Sequence, residues 1–206
     1  MKRRLVLVVA VLVSGAFLLS SAAVAQQALP PGSLVIKVLA EKKVALLPVG
    51  RPGLYWRLEN FPSLAQAQAA AGPTGLAAES AGKAWLATLG PKGRSSAGGT
   101  KVAEIGPLPL VVAPEYLLRI NEPSGPPGSI TIVHAHPGTE AAYVLTGELC
   151  MRTPHGVMRV PAGRSDAGPH PHVPSQVSSC GSTDLRGFVM FVVDATKPFS
   201  NPATFP

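Results

Sequence analysis

Along most of the chain the apolar positions come in short runs of four to seven residues, broken by glycine and proline rather than spread at helical spacing. That pattern predicts β-strands separated by turns. Before Glu115 the runs are Leu34 to Leu39, Lys43 to Val49, Gly75 to Glu79, Ala84 to Leu89 and Lys101 to Ile105, with Ala81-Gly82-Lys83 as a hairpin turn. After it they are more closely spaced: Tyr116 to Asn121, Ile130 to His136, Glu140 to Leu145, Glu148 to Arg152, Val157 to Val160, Pro174 to Ser179 and Phe188 to Val193. Turn residues separate them at 123–128, Pro137-Gly138, Gly147, 154–156, 163–171 and Gly181. One stretch reads as a helix, because Ser63-Leu64-Ala65-Gln66 has the form of a capping box, alanines follow, and Gly72-Pro73 stops it.

The start of the chain has a different pattern. Lys2, Arg3 and Arg4 precede an apolar run from Leu5 to Leu19, and Ala23-Val24-Ala25 supplies a small-x-small site. The run is shorter than the roughly 20 residues a spanning helix requires. It therefore predicts a cleaved signal peptide over 1–25 and an exported, periplasmic or secreted protein with no membrane attachment after cleavage. Loss of those three cations takes the formal net charge from +7 to +4. The remaining Lys and Arg are scattered without a stripe, which argues against a nucleic-acid partner. In an oxidising compartment Cys150 and Cys180 can pair; two separate buried thiols are the alternative, and spacing does not choose between them.

Candidate chemistry is concentrated in one region. All five histidines lie between positions 134 and 172. His134 and His136 are two apart on a predicted strand, so their rings leave the same face, and Glu140 opens the next strand after a Pro-Gly turn. Two imidazoles and a carboxylate from one hairpin suit a divalent metal (Fe, Mn, Zn, Ni or Cu) with open coordination positions.

Gly128, five residues, His134, one residue, His136, three residues, Glu140, six residues, Gly147 resembles the first motif of the cupin superfamily at every fixed position. The resemblance covers about the C-terminal half of the chain. It implies an all-β fold, a cupin jelly-roll (double-stranded β-helix) barrel over 115–195. The same reading makes 26–114 a β-rich N-terminal extension with one short helix, and 196–206 a tail over the barrel surface. It also implies that His134, His136 and Glu140 point into the barrel as metal ligands, and it makes a homodimer plausible.

The second cupin motif is altered. Gly163 and Pro169 fit its opening, but Ser175 stands where a fourth ligand, histidine, is expected, and Ser179 where asparagine is common. Starting the alignment at Pro161-Ala162-Gly163 puts Asp166 there instead. His170 and His172, just upstream, are candidates to complete the metal site, with His172 ahead because it is nearer the strand; the competing reading is an exposed rim loop. His155, in a Thr-Pro-His-Gly turn, reads as solvent-exposed. Trp56, Trp85, Phe61 and Tyr116 are expected to pack the extension onto the barrel.

Two functions remain open on this reading. One is a metal-dependent enzyme, either an oxidoreductase of dioxygenase type or an isomerase, acting on a small molecule. The other is a non-catalytic module that binds a small ligand or a metal. A vestigial site, empty of both, is a weaker third.

Overall fold

The computed structural model describes residues 32–48 and 53–206; the expected signal peptide lies outside them. In chain order the elements are β1 (Val35–Val44), β2 (Tyr55–Phe61), α1 (Leu64–Ala70), β3 (Gly75–Ser80), β4 (Lys83–Gly90), β5 (Thr100–Ile105) and β6 (Tyr116–Gly125). They continue with β7 (His134–Ala135), β8 (Gly138–Thr146), β9 (Glu148–Thr153), β10 (Gly156–Pro161), β11 (Ser165–Ala167), β12 (Gln176–Ser179), β13 (Leu185–Asp194) and β14 (Asn201–Pro202).

The helix forms where the capping box stands. Ser63 is its N-cap and its hydroxyl accepts from the Gln66 N–H. The β3–β4 hairpin turns on Ala81 and Gly82, at φ 49° and 70°. Two successive left-handed residues are what a tight two-residue hairpin needs for its twist to match the strands.

The strands form three layers. A five-stranded sheet of order β1-β6-β13-β8-β11 lies in the middle. A three-stranded sheet, β10-β9-β12, packs on one side through a shared core. A four-stranded sheet, β3-β4-β2-β5, covers the other side. The central sheet is thus buried on both faces, and β13 shows how. Phe188, Met190 and Val192 enter the core shared with Trp56, Leu58 and Trp85. Val189, Phe191 and Val193, on the alternate face, enter the barrel core with Val144, Leu149 and Met151. Each such side chain contributes about 2 kcal/mol of burial, and a strand apolar on both faces reads as the unbroken run seen in the sequence.

Trp85 meets Phe188 edge-on at 5.0 Å and Tyr143 at 6.3 Å, so the aromatic residues of the extension do pack on the barrel. Trp56 is fully buried in the same core, whereas Phe61 packs mainly under the helix.

Several boundaries differ from the sequence expectation. β1 is one strand, with an irregularity at Leu39, instead of the two expected runs, and it pairs with β6 to join the central sheet. β2 was not expected, because Arg57, Glu59 and Asn60 mask its apolar alternation. The expected strand from Ile130 to His136 shrinks to β7 plus isolated bridges, since its backbone bonds are shared out to Gly32, Val177 and Ser175. β11 falls in a segment expected to be turn.

Candidate ligand and metal site

Glu140 opens the lumen-facing series of β8: Glu140, Ala142 and Val144 alternate with Ala141 and Tyr143, which face the other core. His134 is pinned to Ser175 by a reciprocal pair of backbone bonds, 3.0 and 2.8 Å. The His136 carbonyl accepts from the His172 N–H at 2.9 Å. His134, His136 and Glu140 all line one cavity of about 420 Å³, whose other walls include Leu34, Ile36, Ile130, Val189, Phe191 and Phe199. The cavity is largely apolar with a few polar groups in its lining, the usual character of a small-molecule site.

Both imidazoles are held through Nδ1. That of His134 lies 2.8 Å from the Ile132 carbonyl and that of His136 lies 2.7 Å from the Phe199 carbonyl. A carbonyl only accepts, so each Nδ1 carries the proton. The Nε2 of His136 is buried and has no partner. Burial, partly offset by the Phe199 carbonyl, pushes the His136 pKa down to about 4, so the ring is neutral at pH 7 with a bare Nε2 lone pair. Burial likewise pushes Glu140 up to about 7. The Ser175 hydroxyl pulls it back only partly and makes no regular hydrogen bond of its own. Among the described ion pairs, none involves Glu140.

The donors fit a divalent cation in kind, since a carbonyl-tethered imidazole with a free Nε2 is the usual form of a ligating histidine. Among the described residues, however, no three His, Cys, Asp or Glu side chains close on one point to form a ready-made cage. His170 is exposed and lines a separate open groove with His155 and Asp166. His172 is also exposed, at the left-handed φ of 66°, and does not line the cavity. Neither side chain lines the cavity that His134, His136 and Glu140 share. Their loop, stiffened by Pro169, Pro171 and Pro174, keeps the imidazoles at the surface while its backbone bonds to His136. Ser175 is fully buried and bridged to His134 through the backbone, whereas Asp166 is exposed.

A two-sheet jelly roll with the motif hairpin on its inner wall decides the fold. The barrel is a cupin fold.

No family profile matches the chain, and no curated protein matches it either. Solved structures similar to it include a cupin 2 domain-containing protein from Halorhodospira halophila, at 18% identity and TM-score 0.36 over 42% of this chain. A cupin-like protein from Thermotoga maritima MSB8 matches at 15% and 0.37 over 43%, and the polyketide cyclase RemF from Streptomyces resistomycificus at 19% and 0.36 over 43%. The chain spans 58%, 65% and 62% of those proteins, in each case less than two thirds.

The cupin barrel also uses residues that sequence reasoning did not assign to the site. Asn121, whose buried Oδ1 is unpartnered, lines the cavity from β6. Phe199 and Ser200 reach it from the tail. An asparagine on an otherwise apolar strand was a usable signal; a phenylalanine in a proline-punctuated tail was not.

The cysteines form a disulfide between β9 and the residue after β12, with 5.8 Å between their Cα atoms. This settles the alternative left open above.

Proposed function

We propose that this chain is an exported cupin that binds a small, mostly apolar molecule in its barrel cavity, beside a divalent cation held by His134, His136 and Glu140. The observation that carries the reading is the His136 imidazole, in the wall of the cavity, with its Nδ1 tied to a carbonyl and its Nε2 buried and without a partner. A buried nitrogen without a partner costs about 1–3 kcal/mol, and a cation or a ligand donor relieves that cost.

When bound, the cation would supply a Lewis acid beside the cavity. His134 and His136 present Nε2, and their tethered Nδ1–H groups fix the ring orientation. Glu140 ligates only as carboxylate, so ionisation near pH 7 gates the site. Leu34, Ile130, Val189 and Phe191 exclude water and give an apolar body a wall to pack on. Ser175, in place of a fourth nitrogen donor, favours a second reading, a module that binds without turnover.

The test is a Co(II) and Zn(II) titration of chelator-treated protein, with metal content measured on protein purified without chelator. One ion per chain, tighter at pH 8 than at pH 6 and lost in a His134→Ala, His136→Ala double variant, is expected. No uptake of either ion would remove the metal from the proposal. Oxygen consumption across diphenols, thiols and keto acids then separates enzyme from binding module, silence favouring the module. Export is checked by the mature N-terminus, expected at Gln26; a retained Met1 would overturn it.

A further inference from the structure

We infer that Phe199, in the C-terminal strap, is a positioning and specificity-determining residue of the cavity: its carbonyl fixes which nitrogen of His136 faces the ligand, and its ring forms part of the cavity wall. The wall role rests on the ligand-binding reading; the positioning role does not.

The strap is delivered by local bonds. At the end of β13 the Asp194 carboxylate accepts from the Thr196 N–H at 2.9 Å and pairs with Lys197, and the Asp194 carbonyl accepts from the Lys197 N–H. The chain then runs back antiparallel to β7, Asn201 opposite Ala135 and Pro202 opposite His134, with the Ala203 N–H donating to the Val133 carbonyl at 3.1 Å. This register sets the Phe199 carbonyl 2.7 Å from His136 Nδ1. A neutral imidazole has one ring N–H. A carbonyl that claims it at Nδ1 leaves Nε2 as the bare atom of a ring in the cavity wall. Without that carbonyl, the orphaned ring is free to move its proton to the other nitrogen, and the cavity would meet a donor instead of a lone pair.

The ring is held as firmly as the carbonyl. Its centroid is 4.7 Å from that of His136 and 5.0 Å from that of Phe191. The Arg119 guanidinium lies over it at 4.1 Å, and Arg119 is itself held by Glu41 on β1, through Nε at 2.8 Å. Phe199 therefore bounds the cavity from an element that belongs to neither sheet of the barrel.

Three variants of the full chain test this: Phe199→Ala, which removes the ring and keeps the carbonyl; Phe199→Leu, which keeps much of the bulk; and a chain ended after Lys197, which loses both. The first readout is the imidazole ¹⁵N spectrum of His136 at pH 7.5 without metal. Wild type and both substitutions are expected to show the Nδ1–H tautomer, and the shortened chain a shift toward Nε2–H. The second readout is binding of p-cresol against 2-naphthol by amide shifts. Phe199→Ala is expected to move the preference about tenfold toward the larger ring, and Phe199→Leu by less. An unchanged tautomer in a folded shortened chain overturns the positioning role, and an unchanged preference in Phe199→Ala overturns the wall role. If the shortened chain does not fold, a tautomer change in Phe199→Ala, whose carbonyl remains, overturns positioning by that carbonyl, and an unchanged tautomer there supports it. Failure of both probes to bind the wild type would sink the ligand-binding reading and the wall role together, while the tautomer result still decides the positioning.

Discussion

The four-stranded sheet and the barrel each bury a glutamate, and the two are treated in opposite ways. Glu59, on β2, is fully buried yet saturated: Arg57 Nε donates to it at 3.1 Å, the Ser96 N–H at 2.6 Å and the Ser96 hydroxyl at 2.8 Å. It fastens the 91–99 loop to the sheet. Glu140, on β8, is equally hidden but has no cationic partner among the described residues and keeps its proton up to about pH 7. The lesson is that burial of a carboxyl does not by itself mark function. A carboxyl whose partners are all supplied by the fold is a fastening; one left short of partners beside a cavity is waiting for something from outside.

The contrast can be broken most directly at Glu59. Glu59→Ala strands the Arg57 guanidinium and the Ser96 N–H, and is expected to lower stability in urea unfolding by about 4 kcal/mol. A loss below about 1 kcal/mol would mean the cluster is dispensable and the comparison misconceived. The barrel has a covalent fastening of its own. Replacing Cys150 and Cys180 by serine together opens a loop of sequence separation 30 and is expected to lower stability by about 3.5 kcal/mol.

The third prediction sharpens the site side of the contrast, with unfolding followed from pH 4 to 8 in the presence of chelator. Glu140 is raised from 4.5 to about 7, so its contribution is full below pH 4.5 and lost as pH rises through 7. His136 is lowered from 6.5 to about 4, so its contribution is full above pH 6.5 and lost as pH falls through 4. In the wild type the two slopes oppose each other between pH 4.5 and 6.5 and nearly cancel there. Glu140→Gln is expected to expose the histidine slope, a loss of about 3 kcal/mol from pH 6.5 down to 4. His136→Gln is expected to expose the opposite slope, a loss of about 3 kcal/mol from pH 4.5 up to 7. Flat profiles in both variants would show that neither group is shifted by its burial.

Much of the fold was legible because its signals are local. Proline and glycine mark the turns, and the helix announces its own cap at Ser63. β2 escaped because Glu59 and Arg57 satisfy each other, and a buried ion pair looks like an exposed surface in one dimension. The site was half legible. His134, His136 and Glu140 lie within seven residues of one another, so a hairpin brings them to one cavity. Asn121, on β6, and Phe199, in the segment before β14, are distant from the motif in sequence, and only the tertiary fold places them there. His170 and His172 are near the motif along the chain, yet their side chains are exposed on a proline-rich loop and outside the cavity lining.

β13 belongs to two cores at once, its side chains shared alternately between them, and this bears on how the molecule comes apart. Neither the outer sheet nor the barrel can be peeled away without exposing one full row of that strand to water. Heat should therefore melt both in a single transition, and the amides of β13 should be the last to exchange with deuterium, escaping only when the whole chain opens.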